Sequence, residues 1–204
     1  MAQRLIIFAR YPEPGEVKTR LVSALGATGA AQLHSEMTAH TLHWAAGLRQ
    51  QQGIDLEVRF SGGDELRMQA AFGSDARYLR QADGDLGQRL IAAIGDRPQR
   101  TVVIGTDCPD LTPQLVLDAF AALGEHDVVL GPATDGGYYL IGVRRPAPAL
   151  FQGIAWGTTS VCSQTRQIAA EQGLSTALLS PLSDVDRPED LAIWSRVRAR
   201  CKEI

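Results

Sequence analysis

One short stretch of the chain, Thr101–Leu111, constrains the fold most strongly. It opens with the apolar run Val102–Ile104 and becomes polar from Gly105 onward. A short apolar run of this kind is typical of a strand that is covered on both faces, as in the middle of a parallel sheet. Thr112 and Pro113 then indicate a helix start, because threonine caps a helix and proline suits its first position. The stretch therefore predicts a strand, a turn and a helix in succession.

Asp107 lies on the turn that follows this predicted strand. Ligands of open α/β sheets bind at the carboxyl ends of the strands, so a carboxylate on a turn stiffened by Pro109 would suit a metal–phosphate site. The alternative is an ordinary strand-to-helix turn whose aspartates accept hydrogen bonds from nearby backbone N–H groups. This stretch alone does not distinguish the two interpretations.

Composition narrows the class of protein. The 204 residues are 45% hydrophobic and carry 20 Lys and Arg against 23 Asp and Glu, a formal net charge of −3. This balance predicts neither a nucleic-acid partner nor a membrane surface. Three scattered cysteines are too few for a disulfide framework or a cysteine zinc site. There is no signal-peptide pattern and no apolar stretch long enough to span a membrane, so we expect a cytoplasmic protein.

The order of the predicted elements is that of one α/β domain over residues 1–204. Apolar runs predict strands at 5–9, 54–60, 76–80, 101–104, 127–130, 138–143 and 174–179. Helical spacing predicts helices at 28–48 and 65–72, and four more that start after 85, after 112, after one of 158–160, and after 187. No repeat, linker or low-complexity segment interrupts this order.

A cation-rich loop follows the first predicted strand. Two prolines exclude regular structure, and the loop carries Arg10, Lys18 and Arg20 on either side of Gly15. A glycine lets backbone N–H groups approach a ligand closely, and three cations can neutralise phosphate oxygens. The loop is neither a Walker A motif nor a G-x-G-x-x-G fingerprint, so a solvated surface loop is the alternative.

Two further aspartates stand at turns. Asp85 is expected to cap a helix in a capping box with Gln88, which leaves Asp83 without a local role. Asp135 precedes Gly136-Gly137 in a tight bend that can present its carboxylate to a ligand. The alternative for Asp135 is ordinary β-turn chemistry.

Asp186 precedes a helix start at Pro188, where two acidic residues of the first turn already meet the helix dipole. Its own carboxylate can therefore point toward the carboxyl edge of the sheet. We expect the Asp186 and Asp107 carboxylates to approach one cation. The alternative is that Asp186 caps the final helix.

Four segments together resemble the GT-A type of nucleotide-diphospho-sugar transferases. They are FARYPEPGEVKTRL at 8–21, GTDCPDL at 105–111, DGGYYLIG at 135–142 and DVDRPEDL at 184–191. The chain is similar to a bacterial glycosyltransferase-like family, once described as a domain of unknown function and linked to arsenosugar biosynthesis. The resemblance covers nearly the whole chain. It implies a single three-layer, Rossmann-like α/β domain with a mostly parallel central sheet.

The resemblance also implies roles for individual residues. Asp107 and Asp186 would bind Mg²⁺ or Mn²⁺, and Asp107 and Asp135 would be the catalytic residues. The transferred group or the acceptor would meet Gly136, Gly137, Tyr138 and Trp156. The nucleotide would contact Ala9, Arg10, Gly15, Lys18, Arg20, Asp83 and Gln88.

Departures from the pattern leave more than one reaction open. Asp107-Cys-Pro-Asp110 replaces the Asp-x-Asp of many glycosyltransferases, and resembles the Asp-x-Pro of guanylyltransferases that make molybdenum cofactor or activate 2-phospholactate. Lys18-Thr-Arg-Leu21 also resembles the phospholactate enzyme, whereas Ala9-Arg10 stands where many nucleotidyltransferases have Gly-Gly. We expect transfer of a group from a nucleotide-sugar to a small acceptor. The alternatives are transfer from a nucleoside triphosphate to a phosphorylated small molecule, and a non-catalytic nucleotide-binding module.

Overall fold

The computed structural model of the protein describes residues 2–201 and, at Cys201, the backbone alone. The strands are β1 Gln3–Arg10, β2 Asp55–Ser61, β3 Arg77–Arg80, β4 Arg100–Ile104, β5 Val128–Pro132, β6 Tyr138–Val143 and β7 Thr176–Leu178. The α-helices are α1 Val22–Gln52, α2 Glu65–Phe72, α3 Leu86–Ile94, α4 Pro113–Ala122, α5 Val161–Glu171 and α6 Leu191–Cys201. Short 3-10 turns span Thr19–Leu21, Pro148–Phe151 and Pro188–Asp190.

The strands form one sheet in the order β3-β2-β1-β4-β6-β5-β7. β6 runs antiparallel to its neighbours β4 and β5, and the other pairs are parallel. The predicted mostly parallel sheet is therefore confirmed. The chain passes outward from β1 to β3 and then returns to β4 on the opposite side of β1. The strand order thus reverses between β1 and β4, and a crevice forms at the carboxyl ends of strands at such a point.

Helices cover both faces of the sheet, which confirms the predicted three-layer α/β domain. On one face, Leu42 of α1, Met68 of α2 and Phe120 of α4 pack against inward-facing strand residues. On the other face, Leu90 of α3 and Ala169 of α5 do the same. A smaller apolar cluster joins α6 to α1. Among residues 2–201, no helix has both the length and the apolar character needed to cross a membrane.

Capping residues fix where α3 and α4 begin, as the sequence predicts. Thr112 Oγ1 accepts a hydrogen bond from the N–H of Leu115, and Pro113 is the first residue of α4. Asp85 and Gln88 form the predicted capping box at the start of α3. These caps satisfy N–H groups that have no partner inside the helix. They also define the direction in which each helix leaves the carboxyl edge of the sheet.

The first helix is longer than the segment predicted at 28–48. α1 extends from Val22 to Gln52, and Gly26, with φ of 70°, interrupts its first turns. Glycine adopts this left-handed conformation without the steric cost that other residues meet. The residues at both ends of α1 are largely exposed, so the apolar spacing marked only its buried middle.

Replacing Phe120 with alanine tests the packing of α4 on the sheet. The Phe120 side chain is 1% exposed, so its removal leaves a cavity in the core. We expect the Phe120→Ala variant to lose about 3–5 kcal/mol of unfolding free energy, measured by urea denaturation. Leu66→Ala on α2 is the control, because Leu66 is 77% exposed. Its unfolding free energy should stay within about 0.5 kcal/mol of the wild type. Equal losses in the two variants would contradict this description of the core.

Candidate active site

A cleft opens at the carboxyl ends of β1 and β4, where the strand order reverses. Its lining comes from the loop after β1, from α1, from the turn after β4 and from the segment before α6. Five of the residues predicted to be functional line it: Arg10, Lys18, Arg20, Asp107 and Asp186. Ligands of open α/β sheets bind at this position. The cleft is therefore the candidate active site.

The ammonium group of Lys18 lies between two carboxylates in this cleft. Lys18 Nζ is 2.5 Å from Asp107 Oδ1 and 3.0 Å from Asp186 Oδ1. The Lys18 side chain is 4% exposed, whereas those of Asp107 and Asp186 are 51% and 36% exposed. Burial lowers the pKa of Lys18, but Asp107 and then Asp186 raise it by more, so its pKa lies above the ordinary value. Lys18 is therefore a charged group at neutral pH.

Backbone hydrogen bonds bring Asp186 to Asp107 from a distant part of the chain. After β7, the N–H of Leu182 donates to the carbonyl of Pro132 at the end of β5. The N–H of Val185 then donates to the carbonyl of Asp107 at 2.9 Å. The segment before α6 therefore runs along the carboxyl edge of the sheet. Asp186 and Asp107 therefore both contact the Lys18 ammonium, whereas the divalent cation expected between them stays a prediction.

Asp190 fixes the backbone that carries Asp186. Its Oδ2 accepts hydrogen bonds from the N–H groups of Asp186 and Arg187, at 3.1 and 2.7 Å. The Asp186 carboxylate instead accepts from Lys18 Nζ and from Arg20 Nη1, each at 3.0 Å. The alternative in which the Asp186 carboxylate caps the final helix is therefore wrong, because both of its oxygens accept from cationic side chains.

In the loop after β1, the backbone of Lys18 has an unusual left-handed conformation. Among the described residues other than glycine, Lys18 alone has a positive φ, 47°. A side chain makes this conformation unfavourable, and functional sites often contain such residues. Gly15 supplies a second left-handed position, with φ of 85°, but it does not line the cleft. At the rim, Arg10 pairs with Glu16 at 3.0 Å.

His34 lines the cleft and is absent from the residues predicted from the sequence. It lies on α1, and its Nε2 is 3.0 Å from the carbonyl oxygen of Arg10. A carbonyl oxygen can only accept, so Nε2 carries the hydrogen and donates to the loop. Burial lowers the pKa of His34 more than the Asp107 charge raises it, so the ring is neutral at neutral pH. His34 therefore holds the loop after β1 in place without adding charge.

Asp184 is a second residue that the sequence analysis did not identify. Its carboxyl group is half-buried, and burial, with the charges of Asp135 and Asp186, raises its pKa above the ordinary value. The charge of Lys18 opposes this increase. Asp135 itself is exposed, and its Oδ1 accepts a hydrogen bond from the N–H of Gly137 at 2.8 Å. A negative field therefore extends from Asp107 and Asp186 toward the turn after β5.

Four residues predicted to contact the nucleotide do not line the cleft: Gly15, described above, and Ala9, Gln88 and Asp83. Ala9 is buried in the core, and its carbonyl accepts from the Gln81 amide. The Gln88 amide oxygen accepts from the N–H of Asp85 in the capping box. Asp83 is exposed on the turn before α3. For Ala9 and Gln88, structural contacts account for the position of the side chain.

The residues predicted to meet the acceptor also lie outside the cleft. Tyr138 and Trp156 pack edge to face, with ring centroids 6.4 Å apart, against the apolar cluster beneath α3 and α5. At Gly136, an added Cβ would lie 2.0 Å from the carbonyl oxygen of Thr159. Close packing on the start of α5 therefore requires glycine at 136. Gly137 donates its N–H within the same turn.

The acidic groups fit a divalent cation that arrives together with phosphates. In the described part of the chain, no group of three or more His, Cys, Asp or Glu side chains is arranged to hold a metal ion. Asp107 and Asp186 supply two converging carboxylates. Mg²⁺ commonly takes one or two carboxylates and completes its coordination with water and substrate phosphates. Two carboxylates beside a cationic loop match that type of site.

Comparisons with known proteins identify the family. Residues 44–158, more than half of the chain, match the family described as "Uncharacterized protein conserved in bacteria (DUF2064)". The chain belongs to this family. A provisionally named nucleotide-diphospho-sugar transferase of Desulfovibrio desulfuricans G20 is 33% identical in sequence. The similarity covers 96% of this chain and 87% of that one, with a TM-score of 0.87.

More distant solved structures share the fold. The 4-diphosphocytidyl-2C-methyl-D-erythritol synthase of Anaerococcus prevotii DSM 20548 is 8% identical, with a TM-score of 0.62 over 96% of each chain. A CMP:2-keto-3-deoxy-manno-octonic acid synthetase solved with CTP is 14% identical, with a TM-score of 0.59 over 100% of each chain. A search of curated proteins finds no significant match. These relationships confirm the predicted superfamily and a nucleotide-dependent transferase; the link to arsenosugars and the likeness to guanylyltransferases remain predictions.

The burial of His34 predicts a loss of stability in mild acid. Its pKa in the folded protein lies below the value of about 6.5 in an unfolded chain, so the unfolded chain takes up the proton first as the pH falls. Stability should fall as the pH drops below about 6.5, by at most about 1.4 kcal/mol per pH unit for this group, and level off below the folded pKa.

Urea unfolding at about pH 7.5 and about pH 5.5 measures this effect, because the two values bracket the unfolded pKa. His34→Gln should lose less unfolding free energy between the two pH values than the wild type does. Part of the loss will remain, since burial also lowers the pKa of His40. His43→Gln is the control, because His43 is exposed on the same helix. An equal loss in His34→Gln and the wild type would show that His34 does not titrate as described.

Proposed function

We propose that the protein transfers a group from a nucleotide-diphospho-sugar to a small acceptor, with Mg²⁺ or Mn²⁺. The observation that supports this most is the position of Lys18 between Asp107 and Asp186, in a cleft also lined by Arg10 and Arg20. Cations can contact phosphate oxygens, while the carboxylates can hold a divalent cation on the same diphosphate. The relative at 33% identity is named for the same class of donor.

Each polar group has a role in this proposal. Asp107 and Asp186 would hold the divalent cation, which stabilises negative charge on the leaving diphosphate. Lys18 and Arg20 would donate charge-assisted hydrogen bonds to phosphate oxygens. His34 would keep the loop in place through the Arg10 carbonyl. These residues bind and orient the donor and exclude water from the buried side of the cleft.

Asp135 is proposed to face the transferred group or the acceptor. It is exposed, and its charge acts on the half-buried Asp184 carboxyl next to Asp186. One of its oxygens serves its own turn. Gly136 and Gly137 would contribute only through the shape of that turn. We do not extend the acceptor role to Tyr138 or Trp156, whose rings belong to the core.

Transfer of a nucleotidyl group from a nucleoside triphosphate to a phosphorylated small molecule is the second candidate. The sequence Asp107-Cys-Pro-Asp110 favours it, because this turn resembles the Asp-x-Pro of guanylyltransferases. The two reactions break different bonds. Glycosyl transfer breaks the bond between the sugar and the diphosphate and releases a nucleoside diphosphate, whereas nucleotidyl transfer breaks the α–β phosphate linkage and releases pyrophosphate. A non-catalytic module would have less need of both Asp107 and Asp186.

We assign the reaction to the cytoplasm, with no nucleic acid or membrane as partner. Cys108 and Cys162 are free thiols, and thiols remain reduced in that compartment.

Burial, with the charges of Asp184 and Asp107, raises the pKa of the Cys108 thiol, so it is an unreactive group beside the site.

A thermal-shift screen with Mg²⁺ or Mn²⁺ distinguishes the two reactions. Binding to the folded state raises the melting temperature, by more for a tighter ligand at equal concentration. We expect at least one nucleotide-diphospho-sugar to raise it more than any nucleoside triphosphate does. A larger shift with a triphosphate would favour nucleotidyl transfer, and no shift with either class would contradict both candidates. Chromatography of the released product, nucleoside diphosphate or pyrophosphate, then checks the assignment.

Asp107→Asn tests the metal-dependent part of nucleotide binding. The amide keeps the shape of the carboxylate and removes its charge, at a side chain that is 51% exposed, so the fold should persist. In calorimetry, Mg²⁺ should strengthen the binding of a nucleoside diphosphate to the wild type by about tenfold or more and have little effect in the variant. Asp118→Asn, an exposed change on α4, is the control and should behave as the wild type. An unchanged effect of Mg²⁺ in Asp107→Asn would refute the metal assignment.

A further inference from the structure

We propose that Lys18 makes the uptake of a divalent cation depend on the nucleotide. Without nucleotide, the Lys18 ammonium neutralises the Asp107 and Asp186 carboxylates. It leaves them only when it can contact phosphate oxygens in their place. The inference rests on the proposed function, in which the same two carboxylates hold Mg²⁺ or Mn²⁺. The sequence predicted only phosphate contact for Lys18, and this inference adds control over when the metal ion binds.

The positive charge of Lys18 is paired with the negative charges of both Asp107 and Asp186. Lys18 Nζ contacts Asp107 Oδ1 at 2.5 Å and Asp186 Oδ1 at 3.0 Å, and the Lys18 side chain is 4% exposed. The ammonium thus occupies the space between the two oxygens and is itself shielded from water. A divalent cation bound to the same oxygens would lie a few ångströms from this ammonium. Like charges at that distance repel strongly where water is largely excluded.

Lys18 can leave the two carboxylates only if its ammonium group finds another negatively charged partner. Leaving this ammonium buried without a partner is costly, so a metal ion alone cannot displace it easily. A diphosphate changes this balance because its oxygens can accept from Lys18 while other oxygens coordinate the metal. Every charge then exchanges one partner for another and none is left unpaired. Metal and nucleotide should therefore bind cooperatively, each raising the affinity of the other by the same factor.

Lys18 and the nearby Arg20 differ in their contacts with the carboxylates and in their exposure to water. Of the two carboxylates, Arg20 contacts only that of Asp186, through Oδ2 at 3.0 Å, and its side chain is 65% exposed. Water can solvate its guanidinium as soon as the pair opens. Lys18 bridges both carboxylates, and its backbone has the left-handed φ of 47°. The geometry therefore makes Lys18, and not Arg20, the group that competes with a metal ion.

The test measures binding of Mn²⁺ alone to the full chain, by electron paramagnetic resonance of the free ion. Lys18→Met keeps an unbranched side chain of similar length and removes the charge. We expect it to bind Mn²⁺ about ten- to a hundredfold more tightly than the wild type in buffer without nucleotide. Arg20→Met is the matched control and should gain much less. Lys18→Gln serves as a second neutral variant, and circular dichroism verifies the fold of each.

The double variant Lys18→Met with Asp107→Asn identifies where the extra Mn²⁺ binds, because it should lose the gain. Three results would overturn the inference: no gain in either folded Lys18 variant, an equal gain in Arg20→Met, or a gain that survives the double variant. These results do not involve nucleotide. Failure of the proposed function would instead appear as wild-type protein whose nucleotide affinity does not respond to Mg²⁺ or Mn²⁺.

Discussion

The contact of Lys18 with Asp107 and Asp186 is the interaction on which the candidate active site depends. It joins the loop after β1, the turn after β4 and the segment before α6, which are far apart in the chain. Because the buried Lys18 side chain contacts both carboxylates at once, the contact holds the three segments together. The contact also sets the charge pattern of the cleft, with cations on the loop and carboxylates on the opposite wall.

The fold supports this contact from two directions. The reversal of strand order between β1 and β4 places the loop and the Asp107 turn at one edge of the sheet. The last helix secures the other side, since Arg196 and Arg200 of α6 pair with Asp110 on the Asp107 turn, at 2.5 and 2.7 Å. The N–H of Val185 also donates to the Asp107 carbonyl. The packed α/β core thereby fixes the positions of the charged oxygen and nitrogen atoms of the cleft.

Much of this arrangement could be predicted from the sequence because its signals are local. Asp107 directly follows an apolar strand, and Lys18 belongs to a glycine- and proline-containing loop. His34 gave no signal, since only the folded topology places it beside the loop, and the segment at 184–191 did not indicate that Asp184 would be half-buried. At Gln88 and Trp156 the resemblance implied ligand contacts, whereas in the structure Gln88 completes a helix cap and Trp156 packs against the apolar cluster beneath α3 and α5. Sequence patterns indicated the edge of the sheet where the cleft lies, whereas packing decided which side chains line it.

The most direct measurement is a crystal structure of the protein with a nucleoside diphosphate and Mn²⁺, located by its anomalous scattering. We expect one Mn²⁺ peak in contact with Asp107, Asp186 and the diphosphate, with Lys18 Nζ moved onto a phosphate oxygen. A nucleotide bound away from the loop after β1, or Mn²⁺ bound without contact to Asp107 and Asp186, would contradict it.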